Sequence, residues 1–141
     1  MQDDHVIING KRYNPSPAHV SHSHYVFNKI RFKREEEMWV AEILTHMGIR
    51  YLYEVSFPLQ GAKSYCPDFI LERPFRWVED QRFNGSLILG IEMKACDVYR
   101  KEKWVEKSVA LIECHHIPVL VFSRKWLKPY YRAKHLPIKP I

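Results

Sequence analysis

Cysteine is scarce in this sequence, and what there is cannot form a framework. Cys66, Cys96 and Cys114 are an odd, widely spaced set with no CxxC pair. That argues against a disulfide scaffold or a zinc site and fits a reducing cytoplasm. No apolar run approaches the roughly 20 residues of a membrane span, so no membrane partner is expected. The N-terminus has no basic segment leading into an apolar stretch, so no secretory signal is read. Internal repeats and low-complexity tracts are absent. A chain of 141 residues is then expected to be one domain over 1–141, large enough to bury its own core.

Acidic residues are missing from the last part of the chain. None follows Glu113, whereas Arg124, Lys125, Lys128, Arg132, Lys134 and Lys139 do. Near the other end Lys11, Arg12, Lys29, Arg31, Lys33 and Arg34 face only Asp3 and Asp4, and the net charge is +6. Basic ends interleaved with Tyr13, Tyr25, Phe27, Trp126, Tyr130 and Tyr131 suit a polyanionic partner, because cations neutralise phosphates and rings stack on bases. A merely solvated basic surface is the plainer alternative.

Residues 1–30 show no sustained period and read as a basic arm, with a short strand around Val6–Ile8 and a turn at Asn9–Gly10. Val40, Ile43, Leu44 and Met47 recur at helical spacing and predict a helix over about 34–47, with Gly48 at its C-cap. Tyr51–Leu59, Tyr65–Leu71 and Ser86–Ala95 read as three strands. Glu72–Gly85 is a charged and aromatic insertion between the last two. A second helix is expected over Arg100–Cys114, with the stripe Trp104, Val105, Ser108, Val109 and Ile112. Ile117–Phe122 reads as a buried strand, and residues 123–141 as a basic tail.

Pro67 and Asp68 fall in the second strand, and Glu92, Met93 and Lys94 end the third after an apolar run. Glu92 and Lys94 are two apart and leave the same strand face; if the strands pair, Asp68 reaches it too. Converging carboxylates repel each other, and a hard divalent cation resolves the conflict. Such an ion polarises a phosphoryl oxygen and acidifies a bound water, while Lys94 orients that water and balances charge. For an ExK triplet alone, a Glu–Lys pair on a solvated face is the competing explanation.

Taken jointly, from Phe32 to Phe122, the chain resembles the PD-(D/E)xK nuclease superfamily, in feel nearest to small phage-type or mobile-element endonucleases. The matching stretches are Phe32-Lys33-Arg34-Glu35-Glu36-Glu37, Gly48-Ile49-Arg50-Tyr51-Leu52-Tyr53-Glu54, Cys66-Pro67-Asp68-Phe69-Ile70-Leu71 and Ile91-Glu92-Met93-Lys94. The resemblance implies an α/β, restriction-endonuclease-like core, a central mixed sheet flanked by helices. It implies Asp68 and Glu92 as Mg²⁺ ligands (Mn²⁺ substituting), the Met93 carbonyl as a third, and Lys94 as base or electrostatic aid. A helical glutamate completes such sites. Helical geometry does not separate Glu36 from Glu37, and the position relative to the glycine points to Glu37.

The implied activity is hydrolysis of DNA phosphodiester bonds, with junction resolution, site-specific cleavage and transposon-end cleavage all open and RNA not excluded. A catalytically silent nucleic-acid-binding module is the alternative. With one site per chain, cutting both strands calls for a homodimer, a higher oligomer or two binding events. The expected setting is the cytoplasm of a prokaryotic or phage-infected cell. The interval from Asp68 to Glu92 is long for the family. Within it Arg73, Arg76, Trp77 and Arg82 are candidates for a DNA-contacting hairpin, with a decorated loop as the rival reading. Lys103, Lys107, Arg124 and Lys125 are further candidate phosphate contacts. His19, His22 and His24 lack a partner ligand at metal spacing and read as a polar segment. His115 and His116 read as a helix end.

Overall fold

The computed structural model describes residues 6–8, 11–13, 24–59, 64–79, 85–94 and 109–141. Two antiparallel hairpins come first: β1 (Val6–Ile8) with β2 (Lys11–Tyr13), and β3 (Tyr25–Phe27) with β4 (Ile30–Phe32). The expected Asn9–Gly10 turn lies outside the described residues. Asn28 and Lys29 turn the second hairpin with φ of 51° and 66°, the paired positive values that match right-handed strand twist. The arm thus holds more strand than its sequence suggests, and the second hairpin ends just beyond it in the fully buried Phe32.

Helix α1 (Glu35–His46) begins with three glutamates, whose charge suits the positive end of the helix dipole. It ends as expected at Gly48, whose φ of 73° an L side chain would resist. Gly48 N–H bonds the Thr45 carbonyl and Ile49 N–H that of Leu44. This is a Schellman motif, and it is sealed by the buried Leu44 and Ile49.

The central sheet is mixed. Strand β8 (Phe69–Trp77) pairs antiparallel with β9 (Leu87–Lys94), which pairs parallel with β10 (Val119–Ser123). The other edge of β8 is shared, by β5 (Tyr51–Tyr53) over its first residues and by β11 (Ile138–Pro140) over its last. A small hairpin, β6 (Phe57–Pro58) with β7 (Ser64–Tyr65), lies between β5 and β8 in the chain. Helix α2 is described over residues 109–115, and α3 spans Arg124–Ala133.

Several expectations need correction. The strand predicted over Tyr51–Leu59 breaks at Glu54, whose φ is 58°. Asp68 lies just ahead of β8, not inside a strand. The first part of the supposed insertion, Glu72–Trp77, is strand, because β8 runs on through a bulge between Ile70 and Phe75 to Trp77. In α2 the two described members of the predicted stripe do not face the core: Val109 and Ile112 are 46% and 45% exposed, while Leu111 is fully buried. Apolar residues flank both sides of that helix, so periodicity could not choose between them. The rest of that predicted helix, Arg100–Ser108, lies outside the described residues.

The basic tail is also folded. Ser123 Oγ caps α3 by accepting the Trp126 N–H at 3.2 Å. Trp126 stacks on Phe122 at 4.1 Å and on Trp77 at 5.5 Å, and Tyr131 stacks on Trp39 at 4.6 Å. Those ring contacts offset the hydrogen bond that Pro129 removes inside the helix. No helix among the described residues is long and apolar enough to cross a membrane.

Candidate metal centre

The sheet register builds the centre. Tyr53 pairs with Phe69 and Phe69 with Ile91, so Glu54, Asp68 and Glu92 follow one another across three adjacent strand ends. Glu54 N–H donates to the Asp68 carbonyl at 3.0 Å. Asp68 N–H in turn donates to Glu92 Oε2 at 3.2 Å. The N–H of Met93 donates to Asp68 Oδ2 at 2.7 Å. Helix α1 lays its first turn over this row and contributes Glu37, which is 1% exposed.

Carboxylate oxygens of Glu37, Glu54 and Asp68 all lie within 4.8 Å of one another. Metal–oxygen distances of about 2.1–2.5 Å let one hard cation span oxygen pairs up to about 4–5 Å apart, so these three acids could hold a metal ion. Glu92 sits beside the group, with its Oε2 also accepting from the Tyr65 hydroxyl at 3.3 Å. Glu36 is directed elsewhere and pairs with Arg124, so it is Glu37 that stands beside Asp68.

Two cations come from the β4–α1 junction. Lys33 Nζ lies 2.8 Å from Glu54 Oε1, and this pairing, set against partial burial, raises the ammonium pKa. Arg34 bridges Glu37 Oε2 at 3.3 Å and the Met93 carbonyl at 2.8 Å. The Tyr53 hydroxyl donates a short hydrogen bond to Glu37. Among the described side chains, four carboxylates (Glu37, Glu54, Asp68, Glu92) therefore face two cations.

Burial first, and like charge after it, raise the proton affinity of these acids. Burial, then the charges of Glu92 and Glu37, push the Asp68 carboxyl well above the usual carboxylate range. Burial also raises Glu37, against the opposing pull of Tyr53 and Arg34. Charged carboxylate oxygens within 4.8 Å of one another repel by roughly 3.5 kcal/mol or more at an effective dielectric of about 20. Protonation or a bound cation relieves that repulsion.

The sequence-derived set is thus brought together in part. Asp68 and Glu37 share the cluster, Glu92 touches it through the Asp68 backbone, and the Met93 carbonyl receives Arg34. Lys94 closes β9 opposite Ser123, and its side chain lies outside what is described. Glu54 was missed. Its signals were faint ones: an acid interrupting an aromatic strand, and here a glutamate held at positive φ.

The nucleic-acid candidates scatter. Arg73 is exposed beside Glu72 at 3.9 Å, and Arg76 is exposed on β8 opposite Lys139. Trp77 is fully buried and cannot stack on a base. Arg124 is held by Glu35 and Glu36 and lies over the Trp39 ring at 4.5 Å, whereas Lys125 is exposed. Arg82, Lys103 and Lys107 lie outside the described residues. The end rings Trp126, Tyr130 and Tyr131 pack internally and are not a base-stacking platform. His116, at φ 57°, ends α2 as expected, with its N–H on the Ile112 carbonyl.

The chain matches no protein-family model, no curated protein and no solved structure.

Proposed function

We propose that this chain is a metal-dependent endonuclease that hydrolyses phosphodiester bonds in DNA, on a restriction-endonuclease-like core. The observation that carries the reading is the cluster of Glu37, Glu54 and Asp68 oxygens within 4.8 Å, with Glu92 hydrogen-bonded to the Asp68 backbone. The order α1, β5, β8, β9, α2, β10, with β9 antiparallel to β8 and parallel to β10, supports the fold assignment.

In this reading Asp68, Glu37 and Glu54 hold a divalent cation, with Glu92 at its margin. When bound, the cation supplies Lewis-acid polarisation of the scissile phosphate and acidifies a water. Lys33 and Arg34 release Glu54 and Glu37 in part and turn toward the incoming phosphate. Tyr53 fixes the Glu37 rotamer. Lys94, on the strand position next to the cluster, carries a proton at Nζ and balances charge on the phosphate.

A second reading has one observation in its favour. Lys33 and Arg34 already pair with Glu54 and Glu37, as they would in a silent binding module that uses the cluster only to tie α1 to the sheet. Incubation of wild type and Lys94→Ala with branched, linear duplex and single-stranded DNA separates the two. The nuclease reading expects Mg²⁺-dependent cleavage that Lys94→Ala removes. Binding without cleavage in both proteins would support the silent module.

A further inference from the structure

Three basic residues of α3 have no carboxylate partner among the described residues. Arg124 is neutralised by Glu35 and Glu36, and Lys134 pairs with Glu42 at 3.3 Å and caps the Tyr131 ring. Lys33 and Arg34 serve the carboxylates. Lys125, Lys128 and Arg132, by contrast, are exposed and form no ion pair with any carboxylate among the described residues. Their spacing of three and four places them on one stripe, about 10 Å long at 1.5 Å per residue. The opposite face of the helix is fixed by the Trp126 and Tyr130 ring contacts.

Lys125 is costly where it stands. The first turn of α3 holds no acidic residue, and Lys125 occupies it, where the helix dipole disfavours a cation. A bound anion reverses the sign of that interaction. The stripe also starts at the right place. Ser123, the N-cap of α3, is the register partner of Lys94 at the end of β9, two residues past Glu92. The Arg124 pairs with Glu35 and Glu36 hold the start of α3 against the start of α1, next to Glu37. A polyanion lying along the stripe therefore leads into the carboxylate cluster.

We propose that Lys125, Lys128 and Arg132 form the docking surface for the phosphate backbone of duplex DNA, running from the outer face of α3 to the carboxylate centre. This rests on the nuclease reading for its choice of polyanion, while the surface itself stands on charge and placement. Three ionic contacts of this kind give affinity without sequence preference and make it depend on salt.

The test is fluorescence anisotropy of the full chain with a labelled linear duplex, with Ca²⁺ in place of Mg²⁺, over a series of salt concentrations. Lys125→Ala/Lys128→Ala/Arg132→Ala is compared with wild type and with Arg50→Ala/Lys139→Ala, which removes two exposed basic residues elsewhere. The triple variant is expected to bind about tenfold or more weaker, with the log–log salt slope smaller by about 2 to 3. The double variant should lose less than about threefold, and Lys125→Arg/Lys128→Arg should bind like wild type. Unchanged thermal melting of the triple variant assigns its loss to binding. Equal binding by wild type and triple variant, an equal loss in the double variant, or no duplex binding by wild type would each overturn the proposal. Parallel Mg²⁺ assays keep it distinct from the nuclease reading. Duplex held through the stripe but never cut sinks the nuclease and leaves the surface, while cleavage with binding unaltered by the triple substitution does the reverse.

Discussion

The Glu92 carboxylate accepts the backbone N–H of Asp68 at 3.2 Å, so two acids far apart in sequence are locked together across β8 and β9. The bond ties the acidic end of β9 to the start of β8 and helps to aim Asp68 at Glu37 and Glu54. Carboxylates gathered this way repel one another, and protonation or a bound cation would relieve that repulsion. Testable consequences follow from that tension.

The first concerns pH. Asp68 and Glu37 titrate above the ordinary carboxylate range, burial being the first cause in each and Glu92 the second for Asp68. Between their unfolded and folded values the folded state holds more protons than the unfolded chain. Stability therefore falls as pH rises through the folded values, and lowering the pH regains it. Thermal melting of metal-free wild type and Asp68→Asn over pH 4 to 8 measures the difference. Asp68→Asn is expected to gain on wild type toward neutral pH, and Mg²⁺ should shrink the gap. A constant gap across the range would show that Asp68 is not strained by its neighbours.

Glu54→Gln keeps the size of the side chain and removes one charge from the cluster. If Glu54 is a ligand, calorimetric titration with Mg²⁺ or Mn²⁺ should show affinity at least about tenfold weaker, on the scale of losing one charged oxygen donor. The substitution also loses the Lys33 pair at 2.8 Å. Lys33→Ala is the control: it should leave metal affinity equal or higher, since it removes a competing cation. Unaltered affinity in Glu54→Gln would take Glu54 out of the site.

Tyr53→Phe removes the hydroxyl that donates to Glu37. Tyr53 is half-buried, and the lost bond to a charged acceptor is expected to cost about 1–2 kcal/mol of stability. Glu37 then turns more freely, so cleavage at saturating metal should fall while the metal-dependence midpoint moves upward. Tyr53→Phe with wild-type melting and kinetics would mean that the contact has no consequence.

Much of this was legible in the sequence, and what was not has identifiable causes. Helix α1 could be read because apolar spacing and Gly48 agree, and β9 because an apolar run ends in Glu92 and Lys94. Asp68 and Glu92 were brought to one face only on the condition that their strands pair, a pairing the family resemblance implies and the register of β8 and β9 supplies. Glu54 could not be read, since its role depends on a break in strand geometry at positive φ that no local pattern announces. Helix α3 was hidden by Pro129 and by a charge pattern that looks like a tail. Its fold comes from tertiary ring stacking with Trp77, Phe122 and Trp39. Glu72–Trp77 looked like an insertion because a bulge and Pro74 interrupt the alternation of β8.

The sheet itself offers a test away from the site. Gly90 lies buried in β9, where an added Cβ would meet Val119 Cγ2 at 3.0 Å and Ile70 Cδ1 at 3.4 Å. Both neighbours belong to the packed layer, so Gly90→Ala should destabilise by about 1–3 kcal/mol in denaturant unfolding. Equal or greater stability would mean that β8 and β10 pack less closely on β9 than described.

The central claim is that the carboxylate cluster is a metal site that cuts phosphodiester bonds. Its most direct measurement is cleavage of labelled branched and linear DNA by wild type and Asp68→Asn, each with Mg²⁺ and with EDTA. The account predicts cleavage by wild type with Mg²⁺ alone, and a loss of at least about a thousandfold in Asp68→Asn while DNA binding persists. Cleavage that survives Asp68→Asn, or a wild type that binds DNA and cuts nothing with Mg²⁺ or Mn²⁺, would contradict it.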